Sequence, residues 1–446
     1  MPATRASDFP SDSAVLAIIR QRVAEKRSAG IVVGMLESDG STRIVGFGDP
    51  GAGQPLLDGN TVFEIGSITK VFTATVLAQL VQEGTLHLDD LAQKFLPPTV
   101  HLPTHNGKQI TLGTLSEQNS GLPRMPTNLH PANPANPYAD YTVAQLYDFL
   151  AHYELTRDPG AQFEYSNLGV GLLGHILSLA TGKPYETLIR ERIWNPLGMT
   201  HTAITFTPWM RAHLALGHDE SGAVAANWDL PTFAGAGAIR STTIDMLKLA
   251  DANLHPERGA LERAVALAHQ VRAPTDNASA QIGLNWILLS TGTDTIVWHN
   301  GGTGGYRTYL GLVPSRKVAV VVMTNSTGEG ADDIGMHLLH PALLLAPKME
   351  PPKARTAIVV PASALAAYVG VYQLAPNFSI EMTLKGDELH TRATGQGEFR
   401  LWPDSESEFF LKEVDAQVTF VRDAHGTVTG LVLHQGGQNQ SAPKVK

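Results

Sequence analysis

The chain has 446 residues, a formal net charge of -9 from 33 Lys and Arg against 42 Asp and Glu, and no cysteine. Disulfides, thiolate catalysis and cysteine-ligated metals are excluded, and the acidic balance argues against a nucleic-acid partner, which selects for a basic face. A hydrophobic content of 43% with 17% charged residues fits a soluble globular enzyme, long enough for two domains of about 100–200 residues or more.

The start, Met1-Pro-Ala-Thr-Arg-Ala-Ser-Asp8, lacks the apolar core of a signal peptide, and no run of about 18 apolar residues marks a membrane span. The expectation is a soluble chain, cytoplasmic as it stands, or periplasmic or secreted if it is a trimmed mature form. Residues 12–26 carry apolar positions at helical spacing, and 30–36 with 43–47 read as two strands about an Asp39-Gly40 turn. Residues 71–81 are almost wholly apolar and predict a buried helix headed by Ser67-Ile-Thr-Lys70. The Pro- and Asn-rich stretch 123–141 predicts an irregular loop of the kind that shapes a cleft. Helices follow at 143–152, 168–181 (stopped by Gly182-Lys-Pro184), 185–193 and 243–253. Strands return at 282–289, 295–298, 306–313 and 318–324. Helices between an early hairpin and a late antiparallel group give an α+β or α/β domain. Its expected span is 1–346, with a Pro-rich linker at 347–357. The tail, 358–446, has short alternating segments at 378–384, 388–392, 409–412, 418–421 and 428–433, the pattern of a small antiparallel sheet or barrel.

Chemistry concentrates at three places. Ser67 and Lys70 are one helical turn apart, so the amine can reach the hydroxyl; a lysine kept neutral by burial can take the serine proton. The helix N-terminus adds free N–H groups that stabilise an oxyanion, and Gly66 lets the chain turn sharply. Alone, the motif is weak and more simply fits a serine cap followed by a solvent-facing lysine. Against that, Lys70 interrupts an otherwise apolar helix. Second, Tyr165-Ser-Asn167 places a phenol and an amide two residues apart just before a helix, so that an extended segment points both the same way. Third, His299-Asn-Gly-Gly-Thr-Gly-Gly-Tyr-Arg307 joins two strands through glycines that let backbone lie against a bound acyl group.

Together these motifs resemble the SxxK, YxN and HxG/KTG elements of class C β-lactamases, penicillin-binding proteins and the esterases built on their fold. Phe63-Glu-Ile-Gly66, Asn119-Ser-Gly-Leu-Pro123, Trp194-Asn-Pro-Leu-Gly-Met199 and Ala236-Gly-Ala-Ile-Arg-Ser-Thr242 are similar to stretches of the same family. The resemblance covers about residues 12–345. It implies a β-lactamase/transpeptidase-like fold, an antiparallel sheet flanked by helices plus an all-helical region. It also implies roles: Ser67 the acylated nucleophile, Lys70 its base, Tyr165 a partner in proton transfer, and Asn167 a donor to the substrate's acyl-side amide. The N–H groups of Ser67 and Gly302 would form the oxyanion hole beside Gly301. The implied reaction is acylation of Ser67 and hydrolysis of the acyl-enzyme, without metal or cofactor, on a small-molecule or short-peptide substrate.

Two departures stand out. A lysine in the third motif would give a fixed charge for the substrate carboxylate; here it is His299, whose charge depends on pH, with Arg307 nearby as a substitute contact. This favours a D-amino-acid peptidase, D-Ala-D-Ala carboxypeptidase or carboxylesterase over a β-lactamase, with a penicillin-binding sensor that acylates without turnover as the rival of another class. Gln118-Asn119 replaces a usual His-Thr, a change expected to alter the cleft wall and leave the chemistry alone. The tail resembles lipocalin-like domains appended to some relatives, which implies a role at the edge of the site or in a homo-oligomer. His337 and His340 lack a nearby acidic motif and read as helix decoration rather than metal ligands. Gly301–Gly305 lacks the Lys-Ser/Thr ending of a phosphate loop.

Overall fold

In a computed structural model, which describes residues 7–328, 331–348, 355, 357–375, 378–394, 397–412, 416–435 and 438–446, the chain divides into two compact units, Met1–Pro347 and Lys348–Lys446. The linker expected at 347–357 falls largely on positions 349–354 and 356, outside the described residues, as does much of the N-terminal stretch read for a leader.

In the first unit, β1 (Gly30–Leu36) and β2 (Thr42–Gly48) form the early hairpin. A short ribbon follows, β3 (Val62–Glu64) with β4 (Arg240–Thr242). Then come β5 (Ala273–Pro274), β6 (Ala280–Ile282), β7 (Ile287–Ser290), β8 (Thr295–Gly302), β9 (Arg307–Val313) and β10 (Val318–Thr324). The main sheet is antiparallel, in the order β2-β1-β10-β9-β8-β7-β6-β5. Every residue of β1 and β10 is buried because both faces of the sheet are covered. Ile31, Val33, Val320 and Val322 meet Val15 and Ile19 of helix α1 (Asp12–Ala24) and Ile334 and Leu338 of the helix Asp332–Leu339. Val32, Leu36, Val321 and Met323 face the larger core that includes helix α2 (Thr69–Gln82). Each such side chain contributes about 1.5–3 kcal/mol by burial.

The strand expected over 282–289 is two strands. Asn285 adopts a left-handed φ of 55° and donates its N–H to Ser116 O at 2.8 Å, while Gly283 N–H turns to Trp286 O at 2.8 Å. The chain kinks there to bury Trp286. β8 runs further than expected, through Gly302, because β9 continues to pair with it, His299 opposite Leu310 and Gly302 opposite Arg307.

The second unit is an up-and-down sheet of eight strands, each antiparallel to the next: β11 (Gly370–Ala375), β12 (Phe378–Lys385), β13 (Glu388–Ala393), β14 (Glu398–Pro403), β15 (Glu408–Phe410), β16 (Ala416–Arg422), β17 (Val428–Gln435) and β18 (Gln438–Pro443). Val371 N–H donates to Lys446 O and Val445 N–H to Val371 O, each at 2.8 Å, which nearly closes a barrel. Its interior is filled by side chains, with Tyr368 stacked on Phe420 at 4.1 Å and Tyr372 and Phe409 around them.

Candidate active site

The nucleophile's position is set from below. Glu64 and Arg240, 2% and 3% exposed, face each other across the β3–β4 ribbon with Nη2 3.2 Å from Oε1. Breaking such a buried pair leaves an uncompensated charge, so it fixes this ribbon firmly. Three residues on, Ser67 sits in a 3-10 turn, Gly66–Ile68, that leads directly into α2. Gly66 has φ +50°, and a Cβ there would come within 2.6 Å of the Gly302 nitrogen; only glycine allows the turn to lie against the end of β8.

Lys70 is fully buried, with Nζ 2.9 Å from Ser67 Oγ, 2.8 Å from Asn167 Oδ1 and 2.7 Å from Ala236 O. Burial first, and the Arg124 charge second, push its pKa well below the usual lysine range. A neutral amine has two hydrogens and one lone pair. The two carbonyl oxygens can only accept, so both hydrogens go to Asn167 and Ala236 and the lone pair is left for the Ser67 proton. The solvent-facing lysine is thereby ruled out.

Tyr165 lies between Glu164, whose N–H donates to Gln118 O at 2.7 Å, and Ser166, whose N–H donates to Gln118 Oε1 at 2.7 Å. Gln118 is 2% exposed and itself donates to Asn285 Oδ1 at 2.9 Å. Gln118, read from the sequence as cleft wall, holds the tyrosine segment on both sides. Tyr165 hydrogen-bonds Ser67, and burial pushes its phenol up to about 12, partly offset by that bond and by Arg124. The phenol is thus protonated at neutral pH, while burial shifts the amine beside it toward its neutral form. The Arg124 guanidinium lies 5.1 Å from the Tyr165 ring centroid, and Lys70 Nζ 4.9 Å. Asn167 opens the helix Asn167–Thr181 after the Ser166 cap; with Oδ1 committed to Lys70, its Nδ2 remains as a donor.

The third motif forms the end of β8. A Cβ on Gly301 would sit 1.9 Å from Ile65 O, so glycine is required there. Thr303 N–H donates to Tyr306 O at 3.1 Å, which by antiparallel alternation makes Gly302 and Arg307 a non-hydrogen-bonded pair and turns the Gly302 N–H away from β9. His299 does not behave as a titrating cation. It is 2% exposed, its Nδ1 donates to Asn300 O at 2.6 Å, and burial and then Lys70 push it down to about 3. The imidazole is neutral and packs 6.2 Å from the Tyr165 ring. Arg307 folds over the β8–β9 turn, donating to Thr303 O and Tyr306 O at 3.2 Å. Among the described residues, neither Arg307 nor Arg124 has a carboxylate within ion-pairing distance. Asn300 donates to Asp332 Oδ2 at 2.5 Å, and burial pushes Asp332 up to about 6.

Ser67, Tyr165, Asn167, Gly301, Gly302, Arg124 and Arg307 line one cleft of about 1090 Å3; His299 and Lys70 stand behind its wall. Arg124 and Asp332 were not singled out by the motifs. Arg124 directly follows the Leu122-Pro123 pair, the only local signal for it. Among the described residues no group of three or more His, Asp or Glu side chains could hold a metal, and His337 Nδ1 is 2.9 Å from Leu343 O.

A serine hydroxyl hydrogen-bonded to a buried amine of lowered pKa, at the foot of an open cleft, suits acyl transfer through serine, and the protein is a serine hydrolase. Residues 15–342 match the Beta-lactamase family model, and the chain belongs to that family. Residues 354–444 match a domain of unknown function, DUF3471. The chain is 32% identical over 306 residues to the D-alanyl-D-alanine-carboxypeptidase/endopeptidase AmpH of Escherichia coli strain K12, covering 65% of this chain and 78% of that one. It is 26% identical to a beta-lactamase of Pseudomonas fluorescens, over 69% of this chain and 91% of the relative. The octameric penicillin-binding protein homologue from Pyrococcus abyssi has the same fold, with a TM-score of 0.66 and 23% identity over 97% of this chain and all of that one. No helix among the described residues is long and apolar enough to cross a membrane.

Proposed function

We propose that the protein hydrolyses short D-alanyl peptides through an acyl-enzyme on Ser67, acting as a D-amino-acid carboxypeptidase. The observation that carries the mechanism is the surroundings of Lys70, whose lone pair has only Ser67 to serve. Ser67 Oγ attacks the carbonyl carbon and its proton passes to Lys70 Nζ. The N–H groups of Ser67 and Gly302 receive the developing oxyanion. Tyr165 gives its phenolic proton to the leaving nitrogen as the bond to it breaks, and regains one from Lys70. Water then attacks the ester by the reverse relay and frees Ser67. Asn167 Nδ2 donates to the acyl-side amide.

Arg124 and Arg307 line the cleft together with Asp219, Glu220 and Asp276, and either guanidinium could meet the free carboxylate of a leaving amino acid. The name of the Escherichia coli relative agrees with this reading. A carboxylesterase is the second reading, since the same relay splits esters. The octamer of the Pyrococcus homologue supports self-association, which light scattering would read as a mass above one chain.

The test is a hydrolysis panel of D-Ala-D-Ala peptides, D- and L-amino-acid amides, short-chain esters and nitrocefin, with Ser67→Ala as control. The peptides are expected to be cut, with Ser67→Ala inert. Turnover of nitrocefin alone would replace the peptidase reading with a β-lactamase.

A further inference from the structure

Arg124 is fixed by its main chain and free at its side chain. Its carbonyl accepts from the N–H groups of Asn167 at 3.0 Å and Leu168 at 3.2 Å, which anchors it to the first turn of the helix Asn167–Thr181. The side chain is exposed in the cleft, with the guanidinium 5.1 Å from the Tyr165 ring centroid. Lys70 Nζ is 4.9 Å from the centroid of the same ring. One phenol ring therefore has beside it both a permanent cation open to the cleft and the buried amine that hydrogen-bonds Ser67.

Asp219, Glu220 and Asp276 line the same cleft, yet among the described residues no carboxylate forms an ion pair with Arg124. Arg307 is placed differently. Its guanidinium is held to its own turn by Thr303 O and Tyr306 O, and its charge acts on Asp332. Arg124 also stands over the phenol that would hand its proton to the leaving nitrogen, which puts it on the leaving group's side of Ser67.

The charge of Arg124 bears on the base. Burial is the first cause that holds Lys70 below the usual lysine range, and Arg124 is the second. The other titratable groups around these two cations carry no charge at neutral pH: His299 is neutral, and burial raises the phenols of Tyr165 and Tyr138. A carboxylate paired with Arg124 cancels the one positive charge that acts on the amine, which strengthens Lys70 as a base while the substrate is bound. A base is most effective when its pKa approaches the working pH.

We propose that Arg124 is a carboxylate-operated switch on the base: the anionic leaving group that pairs with it makes Lys70 readier to take the Ser67 proton, and substrates without that carboxylate forgo the gain. The switch rests on the acyl-enzyme reading above and adds to it a selection for anionic leaving groups at the chemical step itself.

The experiment compares two substrates that differ by one charge, the acetyl-D-alanyl thioesters of mercaptoacetate and of mercaptoacetamide. Acylation is followed as thiol release in single turnovers with the full chain in excess, between pH 5 and 9, where the carboxylate stays ionised. Both thioesters meet the same enzyme, so the titration of other groups cancels in the comparison. For the mercaptoacetate ester the acid limb is expected to lie about 0.5 pH unit or more higher, with a higher plateau and half-saturation at an enzyme concentration about 10-fold lower. Arg124→Gln should abolish these differences and move the acid limb of the mercaptoacetamide ester up toward the wild-type mercaptoacetate value. Arg124→Lys, which keeps the charge, should retain part of each difference. The side chain is exposed and its main-chain bonds are kept, so both variants are expected to fold. Equal acid limbs for the two thioesters in the wild type would overturn the switch and leave the acyl-enzyme standing. So would differences that survive in Arg124→Gln and vanish in Arg307→Gln, or an equal loss of rate for both thioesters in Arg124→Gln with unmoved acid limbs. Thiol release at the wild-type rate in Ser67→Ala would overturn the acyl-enzyme and the switch with it.

Discussion

Lys70→Met is expected to lower kcat/KM by about 10^3-fold or more while the chain stays folded. Methionine fills a similar volume in a wholly buried site, so packing is largely kept, and what is lost is the acceptor for the Ser67 proton. The same substitution removes a group that costs stability. Lys70 has a folded pKa well below the unfolded 10.5, so between those values the unfolded chain binds the extra proton and stability rises with pH toward 10.5. Lys70→Met should flatten that rise. Retained activity in a folded Lys70→Met protein would remove the base from the mechanism; circular dichroism and denaturant titration at pH 7 and 9 give the second readout.

Acidification from pH 6.5 to 3 is expected to destabilise the first unit steeply, with two histidines as main contributors. His299 and His269 are both pushed by burial from 6.5 down to about 3. His269 is enclosed by Asn253, whose Oδ1 is 3.0 Å from Nε2, and by Trp286, whose ring lies edge-on at 4.9 Å. Below pH 6.5 the unfolded chain protonates each and the folded chain does not, so stability falls with pH until about 3. At 1.36 kcal/mol per pH unit, buried His299 contributes roughly 4–5 kcal/mol over that window, and His269, half-buried beside a solvent-accessible pocket, contributes less. Asp332, raised from 3.8 to about 6, works in the opposite direction as pH falls below 6, but through a smaller shift. Urea unfolding followed by tryptophan fluorescence at pH 7, 5 and 3.5 measures the slope, and His299→Gln and His269→Gln should each reduce it. Equal slopes in wild type and both variants would mean that the histidines are not held neutral.

The proximity of the candidate reacting groups was legible in the sequence because their geometry is local. Helical spacing alone brings Lys70 to Ser67, and Tyr165 and Asn167 are two residues apart. The main sheet was legible where strands are apolar throughout, as in Gly30–Leu36 and Val318–Thr324. What failed depends on distant partners. The bend at Asn285 is made by Ser116 and Gln118, far earlier in the chain. Asn136 donates to Asp229, 93 residues away. His299 invites a titrating role by its residue type, and only its enclosure in three dimensions shows it to be neutral. In the tail, β11, β14 and β18 were not foreseen: Gly370–Ala375 opens on glycine, Glu398–Pro403 carries charges and ends in proline, and Gln438–Pro443 is mainly polar and placed by barrel closure.

The central claim is that Ser67 carries the acyl group. Rapid-quench intact-mass spectrometry with peptide mapping, using a D-alanyl thioester or a slowly released β-lactam, tests it most directly. The account predicts an adduct of one acyl mass on the peptide containing Ser67, absent in Ser67→Ala, which decays as product appears. Turnover with no adduct, or an adduct on another residue, would contradict it, and an adduct that never decays would make the protein an acylated sensor instead of a hydrolase.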